Sequence, residues 1–397
     1  MAGQAPSEQT SSLTPTPYSA IPGLYVHVPF CTSICNYCNF NRGLLDEDLK
    51  TRFVEAVRHE IAQGAITPHP LRLAPDTLYF GGGTPSLLTP SEIGSIIEAS
   101  RQYAALGADA EITLEANPET VTHARLEQFR HAGVNRLSFG VQSFRDAELS
   151  RLGRLHSAQR AVDAVAMARA AGFDNVSIDL MMWLPGQDVP QWLASIETAI
   201  RVAPEHISLY MLEVYPHLPL RQDIDRHGWT QGTDESAAEM YEAALAMLDA
   251  EGYQQYEISN VCKAGRESRH NLKYWTDGEW LGFGPGAHST SGGARWRNIA
   301  STGDYIQKIG AGAPVVAERR ALSNDERLGD ALFTGLRLND GIDLKILSRR
   351  YGVDVWERFG EKLMPYLDAG ILLRQDNCLR LTRPGMLVAN EVMSVFV

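Results

Sequence analysis

The chain has 397 residues, 44% of them hydrophobic and 21% charged, with a formal net charge of −12. This acidic balance argues against a general nucleic-acid or anionic-membrane surface, which needs clustered Lys and Arg. No apolar run reaches the roughly 18 residues of a membrane span, and five cysteines, three of them crowded between positions 31 and 38, do not form a disulfide framework. A reducing, cytoplasmic setting follows from that cysteine usage.

Residues 1–22 are rich in Ser, Thr, Pro and Gln, which predicts a disordered leader and no secretory signal. Beyond them, short apolar runs alternate with amphipathic ones. Strands are expected at 23–28, 77–80, 111–116, 135–139, 175–181 and 206–212, and helices at 46–63, 91–103, 120–132, 157–171 and 189–202. The strands read as nearly continuous β-branched and aromatic runs, as in a parallel sheet covered by helices. Six such units are too few for a closed eightfold barrel, so 23–229 reads as an open, partial (β/α)6 barrel. An α+β extension occupies 230–320: a helix at 236–250, then an irregular stretch, 252–293, dense in Gly, Trp, Tyr and His. A long aperiodic stretch of that composition reads as a functional loop. Helices at 325–338, 344–351 and 355–368, a hairpin at 371–381 and a final helix give 321–397 the pattern of a winged helix, with charges too mixed for a DNA reader.

The chemistry concentrates at Cys31, Cys35 and Cys38, spaced C-x3-C-x2-C directly after the first strand. A cubane iron–sulfur cluster is normally held by four thiolates; three leave one iron open to a small ligand. A zinc half-site is the alternative, but it lacks a further ligand at the usual spacing, since His27 lies inside the strand. Cys262 and Cys378 read as small buried hydrophobes. The second strand ends in Gly81-Gly82-Gly83-Thr84-Pro85, which serves either close approach of backbone to a ligand or a tight turn. Glu115, Gln142, Arg154 and Asp179 stand at or near successive strand ends. Each is by itself an ordinary polar group; together they suit a zwitterionic ligand with ribose and amino-acid parts.

The cysteine loop, the GGGTP turn, and the strings Glu115-Ala116-Asn117-Pro118, Gly140-Val141-Gln142-Ser143-Phe144 and Ile178-Asp179-Leu180 followed by Leu184-Pro185-Gly186-Gln187 resemble the radical S-adenosylmethionine (radical SAM) superfamily. Within it they resemble the branch of the oxygen-independent coproporphyrinogen dehydrogenases (HemN), from about Leu24 to the C-terminus. The resemblance implies a radical SAM barrel with a HemN-type C-terminal domain and a [4Fe-4S] cluster on Cys31, Cys35 and Cys38. It also implies S-adenosylmethionine (SAM) chelating the open iron, with contacts from Tyr25, Gly82, Gly83, Thr84, Glu115, Gln142, Arg154 and Asp179. A reductant for the cluster, and cleavage of SAM to methionine and a 5′-deoxyadenosyl radical, are implied with them.

Two features separate this chain from the dehydrogenases it resembles. Phe40 stands where they carry a further cysteine, and His270-Asn271-Leu272-Lys273-Tyr274-Trp275 resembles the H-N-x-x-Y-W string of the heme-binding chaperones in the branch. That resemblance implies heme held by His270, Tyr274 and Trp275 and passed to an acceptor protein. His288 and Cys262 are secondary candidates as iron ligands by residue type alone, since the resemblance says nothing about a cysteine at position 262. Chemically, imidazole ligates heme iron and aromatic faces stack on a macrocycle; equally, His270 could cap a loop over core aromatics. Trp183, where a glycine is usual, is expected to narrow the space above the cluster. The enzymatic alternatives are decarboxylation of coproporphyrinogen III or another radical SAM reaction.

Overall fold

The computed structural model describes residues 21–64 and 74–397; the leader expected at 1–22 lies, apart from its last two residues, outside them. Six strands with intervening helices follow the expected order: β1 Gly23–Val28, β2 Thr77–Gly82, β3 Glu111–Ala116, β4 Arg136–Gln142, β5 Val176–Met182 and β6 His206–Met211. The helices between them are α1 Glu47–Gly64, α2 Pro90–Tyr103, α3 His123–His131, α4 Asp146–Arg151, α5 Ala158–Ala170 and α6 Val189–Val202. Local chemistry sets several boundaries. Thr89 with Glu92 and Asp188 with Gln191 form capping boxes in front of α2 and α6, each with a proline in the first turn.

All six strands pair in parallel in sequence order. In place of the nearly continuous β-branched and aromatic runs expected, the strands alternate. Leu24, Val26, Leu78, Phe80, Ile112, Leu114, Leu137, Phe139, Ile178 and Leu180 join the buried core with the helices; each large apolar side chain of this kind contributes about 1.5–3 kcal/mol on burial. The intervening residues face the inside of an open half-barrel and are polar: Tyr25, Tyr79, Glu115, Ser138, Asp179 and Ser208 are among them. Period-two alternation puts the chemistry on one face and the core on the other.

The stretch 252–293 is not irregular. After α7 Pro219–His227 and α8 Asp234–Ala250, β7 Gln254–Glu257 and β8 Asn260–Cys262 extend the sheet antiparallel beyond β6. The helix α9 Arg269–Trp275 follows, and then β9 Trp280–Phe283 pairs in parallel with the free edge of β1. A seventh parallel strand is thus recruited from late in the chain. The strands β10 His288–Ser291, β11 Ala294–Asn298 and β12 Val316–Ala321 continue that edge, giving twelve strands in the order β12-β11-β10-β9-β1-β2-β3-β4-β5-β6-β8-β7. Between β11 and β12 lies α10 Thr302–Gly310, whose Tyr305 hydroxyl donates to the Glu60 carboxylate on α1 at 2.6 Å. The C-terminal part packs α11 Asn324–Gly335, α12 Leu344–Tyr351 and α13 Val355–Asp368 with a three-stranded sheet of β13 Ile342–Asp343, β14 Leu372–Gln375 and β15 Cys378–Leu381. The expected helix–helix–helix–hairpin order is what the structure has.

Candidate functional site

The C-terminal ends of β1 to β6 open on one cavity of about 440 Å³, within the range of small-molecule sites. Cys31, Cys35 and Cys38 line it together with Gly82, Gly83, Thr84, Glu115, Gln142, Arg154 and Asp179. All three thiols are free, and two accept hydrogen bonds: Thr84 Oγ1 donates to Cys31 Sγ at 3.6 Å and Arg154 Nη1 to Cys35 Sγ at 3.5 Å. Hydroxyl and guanidinium donors aimed at sulfur fit thiolates that ligate a metal cluster, whose charge such donors tune. Among the described residues no three His, Cys, Asp or Glu side chains are gathered closely enough to share one ion.

The loop is clamped from several directions. Asn36 Nδ2 donates to Arg151 O at 2.8 Å and to Asp223 Oδ2 at 3.1 Å, and Asn41 Nδ2 donates to Pro285 O and Ala300 O, each at 3.0 Å. His27 Nε2 donates to Asn41 O at 2.7 Å, leaving Nδ1 to accept from Tyr25 Oη at 3.1 Å. The glycine turn belongs to the same clamp. Gly83 N donates to Val28 O and Thr84 N to Phe30 O, each at 2.7 Å. A Cβ on Gly83 would stand 2.6 Å from Phe30 O, and one on Gly82 (φ 116°) 2.7 Å from the His27 ring. Glycine is required here so that the turn can close on the cysteine strand.

Opposite the cysteines, Glu115 and Asp179 share the cavity. Glu115 accepts from Tyr79 Oη at 2.8 Å and from Gly82 N at 3.2 Å. Burial, and then the Asp179 carboxylate, push its pKa up to about 7. Burial raises Asp179 to about 6 against hydrogen bonds from Ser208 and Ser138 and the charge of Arg136. Two half-buried carboxyls held above their ordinary range favour a ligand that brings positive charge or several N–H and O–H donors. Arg154 bridges the walls, its Nη2 donating to Asn117 Oδ1 and Gly140 O at 2.7 Å. Gln142 reaches the cavity from a left-handed backbone, φ 66°, a strained conformation for a non-glycine residue of the kind that gathers at functional sites. Tyr25 does not line the cavity. It lies in the wall beneath, its ring 6.2 Å from Tyr79.

Comparison with known proteins gives this geometry a family. Residues 25–199 match the radical SAM superfamily and residues 322–388 the HemN C-terminal domain. The chain is 34% identical to the heme chaperone HemW of Bacillus subtilis over 94% of its own length and 98% of that protein's. It is 34% identical to HemW of Mycobacterium tuberculosis, covering 98% of each chain. This chain belongs to the HemW family. Bos taurus radical S-adenosyl methionine domain-containing protein 1, mitochondrial, is 35% identical over 96% of this chain and 88% of that protein. Among solved structures, coproporphyrinogen III oxidase (HemN) from Escherichia coli superposes with a TM-score of 0.82 over 95% of this chain and 90% of that one, at 22% identity. The fold is therefore the HemN fold, and membership of the radical SAM superfamily implies a [4Fe-4S] cluster and SAM.

The structure does not bring the H-N-x-x-Y-W residues of this HemW-family chain to the cavity. They form α9, which plugs the N-terminal end of the half-barrel. His270 is 1% exposed; Thr77 Oγ1 bonds its Nδ1 at 2.8 Å and Tyr274 Oη its Nε2 at 2.9 Å. Burial holds the ring neutral, with a pKa pushed down to about 3, and both nitrogens are occupied. The Glu111 carboxylate receives the backbone N–H groups of Arg269 and His270, and Lys273 Nζ pairs with Asp76 Oδ1 at 2.5 Å. Trp275 faces the other way, under the Arg337 guanidinium at 4.4 Å. His288 and Cys262 also lie off the cavity, on β10 and β8, and burial pushes the Cys262 thiol up to about 12.

Trp183 does not narrow the cavity. It takes the left-handed conformation (φ 60°) in which glycine is easiest, and its Nε1 donates to Gly232 O at 2.9 Å. Sequence reasoning missed Tyr37, Asn117, Ser138 and Tyr210, all of which line the site. For Ser138 and Tyr210 the signal was available. They alternate in register with the polar positions of β4 and β6.

Proposed function

We propose that this chain carries heme and delivers it to an acceptor protein, and that a [4Fe-4S] cluster on Cys31, Cys35 and Cys38 and a bound SAM take part. The single observation that carries the reading is the joining of three free thiols, two of them under hydrogen-bond donors, to a carboxyl-lined cavity in a chain that matches heme chaperones over nearly its whole length. When bound, the cluster supplies an open iron and a one-electron couple. Thr84 and Arg154 hold the sulfurs, Glu115 and Asp179 receive the amino or hydroxyl groups of SAM, and Gly82, Gly83 and Gln142 shape the wall. A cytoplasmic setting and an external reductant complete the proposal, supported by the free thiols. Among the described residues no helix is long and apolar enough to cross a membrane.

The test pairs two measurements on anaerobically reconstituted protein. Hemin titration, followed by its absorbance band, should saturate stoichiometrically, and the loaded protein should give up heme to apomyoglobin used as a probe acceptor. Incubation with coproporphyrinogen III, SAM and dithionite should yield no protoporphyrinogen IX. Turnover to that product, or failure to bind hemin, overturns the reading.

A further inference from the structure

The geometry points to a heme site on the outer rim of the cysteine cavity, with the imidazole of His217 as iron ligand. This rests on the heme-carrying reading above and locates the cargo. Single exposed hydrophobic side chains are ordinary on a protein surface, whereas several converging on one opening mark a binding face. Phe40 is 68% exposed, Ile34 44% and Tyr210 43%, and all three line the same cavity, with Tyr215 beside them. The cavity is therefore built in two parts. Its depth is polar and carries the carboxyls and the thiols; its rim is aromatic and aliphatic and open to solvent. A zwitterionic nucleoside suits the first, and a flat apolar macrocycle suits the second.

His217 supplies the iron chemistry. It follows β6 on an exposed turn, its ring 5.8 Å from that of Tyr215. Its Nε2 lies 3.1 Å from the side-chain carbonyl of Asn39, a residue of the cavity wall next to Cys38. Since a carbonyl only accepts, Nε2 carries the proton and Nδ1 keeps its lone pair. A histidine steadied through one ring nitrogen by a carbonyl, with the other nitrogen free, is the usual arrangement of a metal ligand. His270 has no such nitrogen, because Thr77 and Tyr274 engage both. Heme at the rim stands next to the cluster loop, so loading of one site alters the surroundings of the other.

The experiment is hemin titration of cluster-loaded protein, wild type against His217→Ala and Phe40→Ser, with the iron–sulfur absorbance as the control for folding and loading. His217→Ala is expected to weaken hemin at least tenfold and to shift its absorbance band. Millimolar imidazole should restore the band, because the missing ligand is then supplied from solution. Phe40→Ser should weaken binding without moving the band. Wild-type affinity and spectrum in His217→Ala overturn the rim site while leaving the heme-carrying reading intact. Absence of hemin binding by the wild-type protein removes both.

Discussion

Replacing Glu115 with Gln should make the cluster-free protein more stable at alkaline pH while impairing its ligand site. The Glu115 carboxyl titrates near 7 in the fold, against about 4.5 for an unperturbed glutamate. A group whose pKa is raised by folding favours the protonated fold. Its stabilising share is complete below about pH 4.5 and is lost as pH rises through about 7. At about 1.4 kcal/mol per unit the ionised group costs up to about 3 kcal/mol at pH 8.5 and under 1 kcal/mol at pH 5; water entering the cavity reduces the difference to about 2 kcal/mol. Against this, an amide keeps only one of the two acceptors now used by Tyr79 and Gly82, a loss of about 1 kcal/mol that does not vary with pH. The variant should thus be level with the wild type or slightly weaker at pH 5, and stronger by about 1–2 kcal/mol at pH 8.5. Urea denaturation at pH 5, 7 and 8.5, followed by tryptophan fluorescence, measures this directly. SAM affinity of the cluster-loaded variant should fall in parallel. A stability offset that stays constant with pH, or a variant that loses ground as pH rises, would refute the assignment of Glu115 as a half-buried, destabilised carboxyl.

Three further outcomes are expected. Cys35→Ala should abolish the iron–sulfur chromophore after anaerobic reconstitution; an unchanged spectrum would mean that the ligands lie elsewhere. His270→Ala leaves a cavity and strands the hydroxyls of Thr77 and Tyr274, so thermal or chemical unfolding should show a loss of about 2–4 kcal/mol. Because the His270 pKa is pushed down to about 3, the wild-type protein should itself lose stability as pH falls below about 6.5 towards 3. Glu60→Ala removes the acceptor shared by Tyr305 Oη, Gly284 N and Asn298 Nδ2, at 2.6, 2.8 and 2.6 Å. A cost of about 3 kcal/mol, with faster amide exchange at Gly284, is the result to look for.

The parallel strands and most of their helices were legible because each is long enough to show its own period. Four-residue strands such as β7, β9 and β10 are not. Trp280–Phe283 becomes a strand only because β1 offers it an unpaired edge from more than 250 positions earlier in the chain. The sheet face is equally readable: β-branched and aromatic enrichment hides it, yet Glu-Ile-Thr-Leu-Glu-Ala alternates plainly, and the polar Glu115 of that strand lines the cavity. The cysteines needed no fold to be found, whereas the role of His270 depends on Thr77, 193 positions away, and no spacing rule reports such a pair.

The placement of α9 changes what the H-N-x-x-Y-W string can mean. A histidine beside aromatics suggests a macrocycle when they are imagined on a surface, but here His270, Lys273, Tyr274 and Trp275 each contact a partner in the frame. His270 and Tyr274 continue a run of rings through Tyr79 at centroid spacings of 5.1 and 5.3 Å, and Tyr274 meets Trp280 at 4.7 Å. Lys273 and Arg269 tie the helix to Asp76 under the barrel, and Trp275 carries Arg337 of the C-terminal part. A helix fixed on both sides in this way closes the floor of the half-barrel and joins it to the C-terminal helices. Opening it to a heme would break the His270 bonds and the stacking together, at a cost of several kcal/mol. At the rim, His217 and Tyr215 make hydrogen bonds to Asn39 and Glu213, and neither bond belongs to the frame of the half-barrel. On the heme-carrying function proposed above, cargo that must be picked up and released is better held there, where binding leaves the fold intact, than in the floor that maintains it.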